Sequence, residues 1–261
     1  MGIYLAIVKS DIAKRVALQK LSNMNNTPKP FNHHELLEAC TQTGCPVCRI
    51  GAQTVRRQLK ALFYEYVNDL EMRANLVKSL GFCGEHTRLL LSHKIADGLG
   101  ASIIYEHLVK VVLREYPKQS SNTQPKELSR KFNNLVSASD GLGDCLACNR
   151  RDEAVIYTLR QIGISLDNAI LRDALEKSDG FCFPHLSQLF LEIQKPAEVD
   201  FLLALTETKL KTRQSEMAEV IRKNDHRFHS EKITEDEALA WKKAMVMLSG
   251  VSINPTGDKH D

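Results

Sequence analysis

The feature that most constrains this chain is a pattern of cysteine and histidine that occurs twice. GCPVC at 44–48 is followed by GFCGEH at 81–86, and DCLAC at 144–148 is followed by GFCFPH at 180–185. Between the second and third cysteines lie 34 residues in the first copy and 33 in the second. The likeness runs beyond the sulfur atoms. MRANLVKSLGFC (72–83) aligns with LRDALEKSDGFC (171–182), sharing Arg73/Arg172, Leu76/Leu175, Lys78/Lys177, Ser79/Ser178, Gly81/Gly180 and Phe82/Phe181. Self-similarity over such a period reads as an internal duplication.

The pattern between the cysteines is helical. Val55, Leu59, Leu62, Phe63, Tyr66, Val67 and Leu70 recur at i, i+3, i+4, i+7 spacing, as do Ile104, Leu108, Val111 and Val112, which is the apolar stripe of an amphipathic helix. Sustained period-two alternation with β-branched enrichment is absent. The expected fold class is all-α: tandem-duplicated helical hairpin units, each stapled by a Cys3His metal site, plus C-terminal helices. In each unit a helix, the CxxC, a helix, GFCxxH at a helix start and a longer helix (beginning near Ala101 and near Asp200) follow one another. The organisation expected is an N-terminal helical extension (1–31), a first metal-binding repeat (32–116) and a polar linker (117–129). A second repeat (130–215), a C-terminal helical segment (216–250) and a disordered tail (251–261) complete it. The linker is marked by PKQSSNTQPKE, with two prolines and three Ser/Thr. Helices are expected at about 197–224 and 235–249.

A CxxC at a tight turn brings two thiolates to one side of the backbone, at about the separation tetrahedral zinc requires. Pro46 rigidifies the first such turn. Cys and His at i, i+3 share one helix face and supply two more ligands. Gly81 and Gly180 suit the left-handed position that ends a helix. The expected ligand sets, taken within each repeat, are Cys45/Cys48/Cys83/His86 and Cys145/Cys148/Cys182/His185. Four protein ligands leave no position for substrate water, which is the arrangement of a structural site. The chemistry points to zinc, two ions per chain, with an iron–sulfur cluster or an exchangeable thiol pair as the alternative. No CxxCH occurs, so covalent haem attachment is excluded. Arg73 and Arg172, ten residues before the third cysteine of each copy, are candidates to offset the net negative charge of a three-thiolate zinc site; the other reading is ordinary interhelical arginines. Cys40 has no counterpart in the second copy and reads as a small buried hydrophobe.

Other histidines carry less. His33 and His34 begin the first helix and read as solvated, and His93 and His107 lack equivalents in the second copy. The stretch RKNDHRFHSE (222–231), followed by Glu237 and Trp241, is a second candidate cluster: Arg222, Asp225, His226, Arg227, His229 and Trp241. Its alternative is a polar turn between two helices whose charges satisfy helix ends. No phosphate loop, GxGxxG, GxSxG or HExxH is present, and no catalytic residue is assigned.

Charge bounds the partners. Net charge is +3, too mild to imply nucleic acid by itself. Residues 1–60 hold nine Lys/Arg against three Asp/Glu. Two basic spots stand out, Lys9, Lys14, Arg15 and Lys20, then Arg56, Arg57 and Lys60. They leave nucleic acid as a further reading, although aromatic interleaving is missing there. The N-terminus shows neither a secretory signal nor a membrane span, which needs roughly 18 apolar residues. Seven cysteines without an export signal point to a reducing, cytoplasmic setting and to metal chemistry rather than disulfides.

The residues also resemble an uncharacterised, mainly bacterial family of unknown function. Its members carry a CPxC…GFCxxH unit twice and a C-terminal segment that here reads IRKNDHRFHSEKITEDEALAWKKAMVMLSG (221–250). The resemblance spans roughly residues 32–250 and implies no activity. Leu146 stands where the first copy has Pro46, a departure that leaves the ligand set complete. The functional expectation is a metal-binding helical scaffold that recognises a protein partner.

Overall fold

The computed structural model describes residues 33–92, 95–116, 124–139, 145–228 and 230–250. The chain divides into two units, Met1–His33 and His34–Asp261, and all but one of the described residues belong to the second. The expected N-terminal extension and C-terminal tail therefore lie outside the described residues. Among those residues there are eleven α-helices and no strands: the class is all-α. In chain order they are α1 (His33–Cys40), α2 (Pro46–Tyr64), α3 (Leu70–Lys78), α4 (Gly84–Ser92), α5 (Gly98–Glu115) and α6 (Pro125–Ser139). The remainder are α7 (Leu146–Ser165), α8 (Ala169–Lys177), α9 (Phe183–Leu189), α10 (Pro196–Lys223) and α11 (Glu235–Ser249). None is long and apolar enough to cross a membrane.

Local chemistry sets the helix starts. The carboxylate of Asp69 accepts from the backbone N–H of Met72 at 2.8 Å to open α3, and the Asn168 carbonyl oxygen accepts from Ile170 at 2.8 Å to open α8. Asp97 accepts from Leu99 and Gly100, which starts α5 at Gly98 rather than near Ala101. Thr234 and Glu237 form a capping box at α11. Each cap satisfies an orphan N–H and stabilises its helix by about 1 kcal/mol. Prolines open α2, α9 and α10 at positions whose N–H has no helical partner anyway. The same property lets Pro125 start α6 inside the segment read as linker.

The most extensive helix contact joins α2 to α7, the two helices that follow the CxxC motifs. It joins the two cysteine-bearing halves of the sequence rather than elements of one half. Val55, Leu59, Leu62 and Phe63 line the buried face of α2, and Val155, Leu159 and Ile162 that of α7. The first turn of α7 (Cys145, Leu146, Ala147) shares one core cluster with Val55, Leu59 and Leu62, while Gly51 faces Val155 and Arg151. The helices therefore run antiparallel. Gly51 permits the close approach, since a Cβ there would sit 3.1 Å from Val155 Cγ2. Leu76 of α3 and Ile104 and Leu108 of α5 complete this cluster, each such side chain stabilising the fold by about 1.5–3 kcal/mol. Helices α10 and α11 form a hairpin, and α11 also rests on α9.

The first turn of α5 meets the last turn of α2 at a point with no room for a side chain. A Cβ on Gly100 would overlap the carbonyl oxygen of Phe63. Gly100→Ala should therefore destabilise the fold by about 2–3 kcal/mol, read as a lower urea midpoint at unchanged slope. An unaltered midpoint would show that α5 does not dock there.

Candidate metal centres

Each ligand pair sits at the start of a helix. Cys45, Cys145 and Cys182 are the N-cap residues of α2, α7 and α9, with no cap hydrogen bond from their side chains. Cys83 directly precedes α4. The carbonyls of Cys45, Cys83, Cys145 and Cys182 accept the first helical bonds from Arg49, Thr87, Asn149 and Leu186, at 3.1, 2.8, 3.0 and 2.8 Å. Three residues further on stand Cys48, His86, Cys148 and His185, on the same face as the residue before. The N-terminal end of a helix favours thiolate over thiol.

The structure groups all eight expected ligands into two sets of four, but not in the expected pairing. One set is Cys45, Cys48, Cys182 and His185, and the other is Cys83, His86, Cys145 and Cys148. Each CxxC meets the CxxH of the other repeat. Helix lengths explain the correction. α2 carries the chain about 24 Å beyond Cys48, and the nine residues of α3 cover only about 14 Å. The GFCxxH turn thus ends beside the far half of α2, where antiparallel α7 begins with Cys145. The same holds for α7, α8 and the start of α2.

The ligand atoms of each set lie within 4.8 Å of one another, and several separations match the edges of one tetrahedral coordination sphere. With zinc–sulfur bonds of about 2.3 Å and zinc–nitrogen bonds of about 2.0 Å, sulfur–sulfur edges are about 3.8 Å and sulfur–nitrogen edges about 3.5 Å. Cys48 Sγ lies 3.7 Å from Cys182 Sγ and 3.2 Å from His185 Nδ1; Cys45 Sγ is 3.6 Å from that nitrogen. Cys83 Sγ lies 3.7 Å from Cys148 Sγ, and His86 Nδ1 is 3.1, 3.4 and 3.6 Å from the sulfurs of Cys83, Cys148 and Cys145. All six described cysteines of the two sets are free thiols. Both sets are compatible with metal binding.

Thiol acidities show what crowding costs these groups. Hydrogen bonding with Cys182 and then Cys45 pushes the Cys48 thiol far above its usual range, and Cys145 does the same to Cys148. A bond to Cys45, foremost, takes Cys182 up to about 12. Burial would raise Cys45 as well, but bonds from Cys182, Cys48 and His185 hold it well below normal. Chiefly through Cys148, Cys145 falls to about 3. In each set one cysteine is thus held low while a neighbour is pushed up. A divalent cation is what would let all three ionise together.

The two sets differ in what surrounds them. Gly180 and Gly81 precede the third cysteines with φ of +81° and +101°, the left-handed backbone that a glycine adopts without strain. In the first repeat the residue before is Leu80; in the second it is Asp179, and its carboxylate becomes a hub. It accepts from the Gly44 N–H at 2.7 Å and from Arg213 at 2.5 Å, with Lys243 at 3.7 Å. The loops entering both ligand pairs are thereby tied to α10 and α11. Gly250, capping α11 at φ +75°, closes the same set: its carbonyl lies 3.4 Å from Cys48 Sγ. A Cβ on it would lie 2.9 Å from Pro184 Cγ and 3.3 Å from Cys182 Sγ. The other set is braced by the Cys83 N–H donating to Cys145 Sγ at 3.5 Å, and by Arg151 reaching Glu85 and Asp152. Sequence reasoning missed Asp179, Gly250, Arg213 and Lys243; the one signal was the Leu80/Asp179 mismatch inside an otherwise matched stretch.

The remaining candidates have other partners. Arg73 donates to the carbonyls of Val67 and Ile103 at 2.9 and 3.1 Å, and Arg172 to that of Leu166 at 2.6 Å while stacking on Phe201. They pin the loop after each long helix, as interhelical arginines do, and these bonds go to no ligand sulfur. Cys40 is buried, and that burial takes its thiol up to about 12. His107 is half-buried on α5. In the α10–α11 turn Arg222 pairs with Glu219 and Glu231, and Asp225 with Arg227 and His226; Trp241 is exposed on α11. These are surface ion pairs, each contributing little. Arg57 pairs with Glu35 and Lys60 is exposed on α2, whereas His229, His93 and the basic spot at 9–20 lie outside the described residues.

The chain belongs to a family of unknown function, DUF6062, whose model matches residues 34–254. No curated protein and no solved structure matches it.

Removing the Asp179 carboxylate leaves Arg213 and Lys243 poorly compensated near buried thiols. Asp179→Ala should destabilise the protein by about 2–4 kcal/mol and weaken metal retention at Cys45/Cys48/Cys182/His185 alone. Chelator competition would read it; equal loss from both sets would contradict the hub.

Proposed function

We propose that this family member binds two zinc ions per chain as crosswise structural staples, and that the braced helical body serves as an interaction scaffold. The observation that carries the reading is the set of ligand separations, which fit one tetrahedral ion in each centre. A multi-iron core needs its terminal ligands spread more widely, so the separations favour zinc over the iron–sulfur alternative. Four protein ligands per centre fill the sphere and leave no open position, the hallmark of a structural rather than a catalytic ion. The chain's residues would bind and orient the ion, and the ion would hold the starts of α2 and α9, and of α7 and α4, together.

The scaffold reading draws on the α10–α11 hairpin. Leu203, Leu210 and Ile221 of α10 and Trp241, Met245 and Leu248 of α11 are large apolar side chains exposed to solvent. Of these, Leu210 and Leu248 line one apolar groove with Met217 and Met247, a contiguous surface of the kind a partner protein covers.

Metal analysis of anaerobically purified protein should give about two zinc and little iron per chain, with no absorbance near 400 nm. Because ion binding and folding are linked, a strong chelator should reduce far-UV helicity and lower the melting temperature, and acidification should do the same by protonating the thiolates. Iron with visible absorbance, or helicity untouched by complete metal removal, would overturn the reading.

A further inference from the structure

The two centres differ in which of their residues are buried. In Cys45/Cys48/Cys182/His185 all three cysteines are buried and the half-buried member is the histidine; in Cys83/His86/Cys145/Cys148 the histidine is buried and Cys83 and Cys148 are half-buried. An imidazole edge does not react with mild oxidants, whereas a zinc-bound thiolate keeps much of its nucleophilicity and its oxidation follows exposure. The first centre is also closed by Gly250, whose carbonyl sits 3.4 Å from Cys48 Sγ. The second has no such lid among the described residues. The sulfurs of its two half-buried cysteines are 3.7 Å apart, close enough that a modest approach forms a bond of about 2.05 Å.

We propose that Cys83 and Cys148 form a peroxide-reactive modification site, oxidised to a disulfide with release of that centre's ion, while the Cys45 centre stays loaded. The inference rests on the zinc reading of both centres. One thiolate attacks a peroxide oxygen, the O–O bond breaks and hydroxide leaves, giving a sulfenic acid. The other thiolate then attacks that sulfur, forms the S–S bond and expels a second hydroxide. Two protons convert both hydroxides to water, two electrons pass from the sulfurs to hydrogen peroxide, and zinc departs as Zn²⁺ without redox change. The new bond joins the start of α4 to the first turn of α7, the elements the ion had joined. Oxidation therefore exchanges a metal staple for a covalent one and frees His86 and Cys145.

The test uses the intact, metal-loaded chain, its metal content measured first. Hydrogen peroxide is added stepwise while a chromogenic chelator reports released zinc, free thiols are then alkylated, and disulfides are mapped by mass spectrometry. The expected result is loss of one of two ions, a Cys83–Cys148 disulfide peptide, and Cys45, Cys48 and Cys182 recovered unoxidised. Loss of both ions together, earlier loss from the Cys45 centre, retention of both, or a Cys145–Cys148 disulfide would overturn the proposal. A starting protein without zinc would instead fail the reading beneath it.

Discussion

Three sulfur atoms and an imidazole nitrogen crowd into the space of one ion, twice, and the rest of the molecule is arranged around that crowding. Without a cation, only part of each set can ionise: Cys48 and Cys148 are pushed up while Cys45 and Cys145 are drawn down. Like charges this close disfavour one another strongly in a buried setting. Yet all four ligand pairs are delivered by ordinary helix starts, with their carbonyls already engaged in the first helical bonds. The backbone is thus preorganised for a charge distribution that a bound cation would stabilise.

Crosswise grouping changes what such a centre does for the fold. Ligands of the Cys83 centre are up to 65 residues apart in sequence, and those of the Cys45 centre up to 140. The shorter closure lies within the longer one, so the two loops are nested. Closing the shorter first lowers the entropic cost of the second. Within-repeat ligation would leave two bodies joined by a linker. Ligation between the halves would hold the described residues from 34 to 250 as one body, consistent with α2 and α7 forming the most extensive helix contact. The asymmetry follows from position. Among the described residues the α10–α11 hairpin reaches the Cys45 centre through Gly250, Arg213 and Lys243, and Asp179 stands there where the first copy has Leu80.

Much of this was legible from residue spacing. Helical class came from apolar periodicity, and all eight clustered cysteines and histidines from the repeated CxxC and GFCxxH. The left-handed glycines before Cys83 and Cys182 were legible too. What spacing could not convey was which CxxC meets which CxxH, because both pairings satisfy the same local geometry. The decision lies in helix lengths, nineteen residues out and nine back, and in the antiparallel packing of α2 on α7 through Gly51. Arg73 and Arg172 illustrate a second limit. Their place in the repeat drew attention, but a loop carbonyl recruits a guanidinium as readily as a charged metal site does. The buttress from Asp179 and Gly250 depends on contacts more than a hundred residues apart, which no local pattern encodes.

Metal stoichiometry of paired cysteine variants tests the crosswise arrangement most directly. Cys48→Ser/Cys182→Ser removes two ligands from one centre, and Cys48→Ser/Cys83→Ser removes one from each. The structure predicts that the first variant keeps about half of the wild-type metal and the second keeps almost none. If the first variant were empty and the second kept half, ligation would run within each repeat, and crosswise stapling would be wrong.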